Sequence, residues 1–183
     1  MTAAVSAGDL AAVEAQLGRT PRGIAAVGHR CPCALPDVVV TEPRLPDGTP
    51  FPTTYYLTCP RATSLIGTLE GSGLMREMEG RLAVEPDLAA AYRAAHVAYL
   101  TDRTALGDVP EIAGVSAGGM PDRVKCLHVL AAHALAAGPA VNPLGDEVLL
   151  ALPDWWDGGP CVTPAPDDAE SSDDSDDGTG GAA

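Results

Sequence analysis

The sequence is poor in aromatic residues, in basic residues and in long apolar runs. Aromatic residues make up 4% of the 183 residues, so helix packing through small side chains should dominate the core. Only 11 lysines and arginines stand against 25 aspartates and glutamates, so the composition gives no support to nucleic-acid binding through a basic face. No 18 consecutive apolar residues occur, and residues 1–19 have no basic start followed by an apolar stretch. We therefore expect a cytoplasmic protein that makes no use of a membrane.

The negative charge is concentrated at the carboxyl-terminal end. All 11 basic residues precede position 157, whereas eight of the 25 acids lie from Asp157 onward, so the first 156 residues carry a net charge of −6. We expect an amino-terminal helix over residues 1–19, one domain over 20–156 and a disordered acidic tail over 157–183, which lacks the hydrophobic residues needed to fold. Such a tail suits a basic protein partner, or simply a solvated state.

Three short stretches with β-branched or aromatic residues predict a sheet. They are Ile24–Arg30, Val38–Pro43 and Phe51–Thr58, and clusters of proline and glycine bound them. Asp47 and Gly48 lie between the second and the third, where glycine supplies the positive φ that a hairpin loop needs. The predicted fold is a single α+β domain, in which a small antiparallel three-stranded sheet packs against four or five helices.

Proline and glycine mark the ends of the predicted helices. Two long helices are expected over Pro86–Leu106 and Pro121–Ala137, each with proline at its first position and glycine directly after its end. Shorter helices are expected up to Leu17, over Pro60–Leu69, over Leu74–Leu82 and over Pro143–Leu152.

A glycine-rich stretch between the two long helices, Gly114-Val115-Ser116-Ala117-Gly118, matches the pattern of a serine nucleophile elbow. The pattern carries meaning only between a strand and a helix of a sizeable parallel sheet, and the sequence does not predict such a sheet. We interpret the stretch as a flexible loop and His96 as a packing histidine.

The five cysteines are an odd number, which indicates free thiols or metal ligands rather than a disulfide framework. In an antiparallel meander the first and third strands end at the same edge of the sheet. That topology brings Cys31 and Cys33 close to Cys59. These three are candidate ligands for zinc, the favoured metal, or for an iron–sulfur cluster, and both sites need a further ligand.

The second long helix is expected to supply that ligand. Cys126 and His128 are two residues apart, about 200° around a helix, so both cannot face one ion unless the first turns are irregular. His29 is an alternative, because it lies on the same strand face as Cys31. The residues alone leave open which of Cys126, His128 and His29 completes the site.

A reactive thiol is the second interpretation of the same residues. Pro60 can begin a helix and leave Cys59 at its amino terminus, where free amides and Arg61 favour a thiolate. His128 is the candidate base for such a nucleophile. The residues do not decide whether the protein is an enzyme, and a non-catalytic interaction protein is the third interpretation.

An anionic substrate would suit the catalytic interpretation. The amides beside Cys59, together with Arg61, Arg123 and Lys125, could hold a phosphate or a carboxylate group. The phosphatase pattern of cysteine, five residues and arginine is excluded, because Leu65 stands at the arginine position.

Five separate stretches form a recognisable set of motifs: His29–Pro36, Asp47–Thr53, Tyr56–Pro60, Gly118–His128 and Asn142–Asp146. Together they resemble the bacterial domain-of-unknown-function family 501, in its actinobacterial form, over about Thr20–Trp156. The resemblance carries over directly to Cys31, Cys59, Cys126, His128 and His133. Some members have phenylalanine where this chain has Cys33, which would make His128 or His29 the better ligand in its place.

The resemblance implies little about function, because no activity is established for the family. Its members are often encoded near a septum-formation-initiator protein and an exopolyphosphatase-like enzyme. The implied partners therefore belong to cell division or to polyphosphate metabolism.

Overall fold

A computed structural model describes residues 4–163 of the chain. Three strands, Ile24–Arg30 (β1), Pro36–Thr41 (β2) and Tyr55–Leu57 (β3), form an antiparallel sheet in the order β1-β2-β3. The described residues also form six α-helices: Ala7–Leu17 (α1), Pro60–Gly71 (α2), Leu74–Val84 (α3), Pro86–Leu106 (α4), Leu127–Ala137 (α5) and Pro143–Leu150 (α6). The predicted α+β class with a small antiparallel sheet is confirmed.

The central strand β2 is buried along its whole length. Its first residue, Pro36, pairs with Arg30 at the end of β1. On the other side, the amide of Thr58 donates to the carbonyl oxygen of Asp37 at 2.8 Å. The ends of β1 and β3 therefore lie at the same edge of the sheet, as the meander predicts.

The third strand is shorter than the predicted Phe51–Thr58. Pro52 has no amide hydrogen to donate to a ladder. Before it, Arg44 and Pro50 form an isolated bridge across the hairpin loop. Gly48, inside that loop, has a φ of +85°, which is the positive value that the turn requires.

Capping side chains and proline mark the starts of several helices. Ser6 caps α1 in a reciprocal capping box with Asp9. The helix α4 has its predicted bounds, with Pro86 as its first residue. Before α6, the side chain of Asn142 accepts a hydrogen bond from the amide of Gly145 at 3.0 Å.

The helix α5 begins at Leu127, so the prediction of a helix from Pro121 is wrong. The backbone before it folds back on itself, and the amide of Lys125 donates to the carbonyl oxygen of Gly118 at 2.8 Å. Gly118 has a positive φ, which a right-handed helix does not accommodate. Cys126 is then extended, with φ −156° and ψ 111°. Proline here begins a set of turns rather than a helix.

The helix α5 is the most deeply buried helix of the core. Leu127, Leu130 and His133 have no exposed surface. The ring of His133 stacks on Tyr55 at a centroid distance of 5.4 Å and meets Tyr99 edge-on at 5.1 Å. Burial lowers the pKa of His133 to about 4. This histidine, to which the family resemblance extends, is therefore a neutral packing residue.

The first seven residues of the predicted acidic tail are described and lie against the domain. Arg61 donates to the carbonyl oxygen of Gly159 at 2.8 Å. Two residues further along, the side-chain amide of Gln16 lies 3.3 Å from the sulfur of Cys161. The rest of the predicted tail, residues 164–183, lies outside the described residues.

The close approach of α6 to α5 predicts a glycine requirement at position 145. A methyl group there would overlap the carbonyl oxygen of Leu130 and lie 2.8 Å from Ala134. We predict that Gly145→Ala lowers the free energy of unfolding by at least about 2 kcal/mol, because the two helices must separate. Gly67 in α2 faces open space, so the control Gly67→Ala should raise that free energy by about 0.5 kcal/mol or more. Urea unfolding measures both, and equal effects would contradict the packing.

Candidate metal centre

Three metal-binding side chains meet where α2 packs against the start of α5. They are Glu70 near the end of α2, Cys126 directly before α5 and His128 in its first turn. His128 Nδ1 lies 3.8 Å from Cys126 Sγ and 3.1 Å from Glu70 Oε1. The three donor atoms all fall within 4.8 Å of one another, and the three residues are half-buried. This group could hold a metal ion.

The late start of α5 produces this arrangement. A helix beginning at Pro121 would place Cys126 and His128 about 200° apart. Because Cys126 is extended and Leu127 is the first helical residue, the sulfur lies beside the imidazole ring. The exception that the sequence leaves open, an irregular backbone at the start of the helix, therefore applies, and both side chains can face one ion.

Glu70 is the member of the group that sequence reasoning misses. Its Oε1 accepts a hydrogen bond from the amide of Leu127 at 2.7 Å, so a carboxylate from α2 caps the amino terminus of α5. The same oxygen faces His128. No local sequence signal marks this role, because only the packing of α2 against α5 brings Glu70 to the site.

The ring of His128 is held at both nitrogens. Nε2 lies 3.1 Å from the carbonyl oxygen of Thr63, which can only accept, so Nε2 carries a hydrogen. In the neutral ring Nδ1 is then an acceptor that faces another acceptor, the carboxylate of Glu70. The contact with Cys126, with further help from Thr63 and Glu70, raises the pKa of His128 to about 9. None of these contacts is with Cys59, for which the sequence suggests His128 as a base.

The remaining predicted ligands, Cys31, Cys33 and Cys59, lie outside this group. Cys31 and Cys59 follow β1 and β3 at one edge of the sheet and are 4% and 1% exposed. Within residues 4–163, the group described above is the one set of three donors close enough to share an ion. The structure thus brings together Cys126 and His128 of the five predicted ligands and leaves the other three apart from them.

His29, the alternative ligand, contacts a buried carboxylate instead. Its Nδ1 lies 2.7 Å from Oδ1 of Asp37, and Asp37 has no exposed surface. An unpartnered carboxylate in that position would carry a large desolvation cost. The contact gives His29 a structural role at the sheet edge.

Cys59 has its predicted position but not its predicted reactivity. It directly precedes α2, and Pro60 is the first helical residue. Burial raises the pKa of its thiol to about 11, although the amides of Ala62 and Arg61 act in the opposite direction, and Cys161 lies beside it. The expected lowering of the pKa is wrong, because desolvation of a thiolate outweighs the effect of a helix terminus here.

The three predicted anion-binding side chains lie in two places. Arg61 donates to the carbonyl oxygen of Gly159, so the protein's own backbone occupies its guanidinium group. Arg123 and Lys125 line an open pocket together with Cys126. The predicted trio does not converge, but two of its members flank the candidate metal centre.

Ser116, in the glycine-rich loop, is held in place by hydrogen bonds and is not arranged as a nucleophile. Its Oγ lies 2.9 Å from His96 Nδ1 and donates to the carbonyl oxygen of Met120 at 3.2 Å. Because the hydroxyl has a single hydrogen, the imidazole is the donor in the first contact and does not act as a base. A turn of 3-10 helix at Pro110–Ile112, rather than a strand, precedes the loop.

Comparison with known proteins identifies one family. A family model described as "Protein of unknown function (DUF501)" matches residues 27–150. The match runs from within β1 to the end of α6 and includes all three residues of the candidate metal centre. No curated protein and no solved structure matches the chain. Among residues 4–163, no helix combines the length and the apolar character needed to span a bilayer.

The raised pKa of His128 predicts a pH-dependent stability in metal-free protein. An unfolded histidine loses its proton near pH 6.5, whereas folded His128 keeps it up to about pH 9. The contacts of protonated His128 therefore stabilise the fold fully below pH 6.5, and this contribution is lost as the pH rises through 9. Thermal unfolding of the chelator-treated chain from pH 6 to 10 should show a decline that His128→Gln reduces. Parallel profiles would contradict the assignment.

Burial of the sheet-edge thiols predicts slow alkylation. The pKa values of Cys31 and Cys59, raised to about 12 and about 11, leave little thiolate at pH 7.5. We expect iodoacetamide to label Cys59 roughly 100-fold more slowly in the native chain than in urea. Peptide mass spectrometry after timed labelling gives both rates. Rapid labelling of native Cys59 would restore the nucleophile interpretation.

Proposed function

This chain belongs to the family of proteins of unknown function DUF501, and we propose that it binds one zinc ion through Glu70, Cys126 and His128. The five cysteines are free thiols, which suits a reducing compartment such as the cytoplasm. A thiol-dependent reaction at Cys59 is disfavoured, because that sulfur is buried and protonated at neutral pH.

The donor set favours zinc over other metals. A thiolate, an imidazole and a carboxylate are all zinc ligands. Iron–sulfur clusters take four cysteines, or two cysteines and two histidines, whereas this group contains one sulfur. Magnesium and calcium select oxygen donors, which only Glu70 provides here.

The spacing of the donors also supports zinc. With bonds of about 2.0–2.3 Å, neighbouring ligand atoms around a tetrahedral zinc ion lie roughly 3.3–3.6 Å apart. His128 Nδ1 lies 3.1 Å from Glu70 Oε1 and 3.8 Å from Cys126 Sγ. Both distances lie close to the zinc values, and the third pair, Glu70 and Cys126, lies within 4.8 Å.

The convergence of three donor atoms within 4.8 Å of one another, from Glu70, Cys126 and His128, carries the proposal. The carbonyl oxygen of Thr63 holds the hydrogen on Nε2, as is usual for the second nitrogen of a metal-bound histidine. In the metal-free protein the pKa of about 9 keeps a proton on Nδ1, between the ring and the carboxylate of Glu70. Zinc takes the place that a proton fills in the metal-free protein.

Elemental analysis of the chain purified under reducing conditions tests this proposal. We expect one zinc ion per chain. Glu70→Gln, Cys126→Ser and His128→Gln should each weaken zinc binding more than about 100-fold, because loss of even an outer partner of a ligand costs 10–100-fold. Cys126→Ser is the most informative variant, since it leaves the contact between Glu70 and His128 intact.

Cys59→Ser is the matched control and should keep its zinc. Zinc should also raise the unfolding temperature of the wild-type chain by mass action, and it should not do so for Cys126→Ser. If zinc leaves the wild-type unfolding temperature unchanged, Glu70 and His128 form an ion pair without a metal. Loss of zinc from Cys59→Ser would indicate that zinc binds at the sheet edge beside Cys59 and not at the start of α5.

A further inference from the structure

An open pocket adjoins Cys126. It has a volume of about 450 Å³ and lies between the glycine-rich loop 114–120 and the segment that contains Arg123, Lys125 and Cys126. Its size suits a small molecule or the end group of a larger one. Of the three residues of the candidate metal centre, only Cys126 lines this pocket.

Backbone hydrogen bonds fix the wall of this pocket. The carbonyl oxygen of Gly118 accepts from the amide of Lys125 at 2.8 Å, and that of Gly119 accepts from Arg123 at 2.9 Å. A methyl group at Gly119 would lie 2.7 Å from the carbonyl oxygen of Arg123, so the close approach requires glycine. These hydrogen bonds therefore join the glycine-rich loop to the basic segment, residues 123–126.

The lining of the pocket is positively charged. Arg123 and Lys125 supply two cations, and no carboxylate belongs to the described residues that line it. Glu79 supports the basic segment from outside, where its Oε1 accepts from the amide of Val124 at 3.0 Å and lies 3.6 Å from Arg123 Nε. The Arg123 side chain is still 65% exposed, which leaves its terminal nitrogens available to a ligand.

Cys126 connects the pocket to the candidate metal centre, because it belongs to both. Three protein ligands leave one position of a tetrahedral zinc ion open, as in catalytic zinc sites. Oxyanions bind zinc, and they also form charge-assisted hydrogen bonds with arginine and lysine. Metal and pocket thus select the same chemical class of ligand.

We propose that this pocket binds the phosphate or carboxylate group of a small molecule, which Arg123 and Lys125 hold while one of its oxygens occupies the open position on the metal. The inference rests on the proposed zinc site and names the class of its ligand. Arg123 and Lys125 are the binding residues of this pocket, and Arg61 does not take part in it.

Anion titration of the cobalt-loaded chain tests this inference. Cobalt(II) replaces zinc in such sites and reports its ligands by visible absorption, with a thiolate charge-transfer band from Cys126. We expect inorganic phosphate or acetate to change the spectrum in a saturable way. Lys125→Gln and Arg123→Gln should each weaken that binding at least about tenfold, with the cobalt content unchanged.

Arg76→Gln is the matched control, because it removes an exposed arginine of α3 outside the pocket. It should bind the anion as the wild type does. If neither anion changes the spectrum, or if Lys125→Gln and Arg123→Gln bind as well as Arg76→Gln, the pocket assignment is overturned while the metal centre stands. Failure to take up cobalt overturns both. The stronger of the two titrations identifies the group as phosphate or carboxylate.

Discussion

The carboxylate of Glu70 ties the candidate metal centre to the fold. One of its oxygens accepts the hydrogen of the Leu127 amide at 2.7 Å and faces His128 Nδ1 at 3.1 Å. The partial positive charge at the start of a helix favours a carboxylate in this place. Both contacts are made by the first two residues of α5, directly after the extended Cys126. The site therefore depends on where α5 begins.

Burial divides the cysteines into two kinds. Cys31 and Cys59 belong to the hydrophobic core, and burial raises the pKa of both thiols, so they behave as small apolar side chains. Cys126 is half-buried, beside an imidazole and a carboxylate and at the wall of an open pocket. The environment of each sulfur, rather than the spacing of cysteines along the chain, decides which one is suited to a metal.

Local signals in the sequence predict the secondary structure better than the site. The bounds of β1 and α4 follow from proline, glycine and β-branched residues near their ends. The same signals give the wrong start for α5 at Pro121, because proline fits the turns before this helix as well as the start of a helix. Cys126 and His128 are identified by their own chemistry. Glu70 is not, since it lies 57 residues before the amide that it caps and reaches the site through packing alone.

The X-ray absorption spectrum of the zinc-loaded chain tests this ligand set most directly. Glu70, Cys126 and His128 predict one sulfur at about 2.3 Å, with nitrogen and oxygen at about 2.0–2.2 Å, and the scattering pattern of one imidazole. A shell of three or four sulfurs would place zinc among Cys31, Cys33 and Cys59 and would contradict a metal centre at the start of α5.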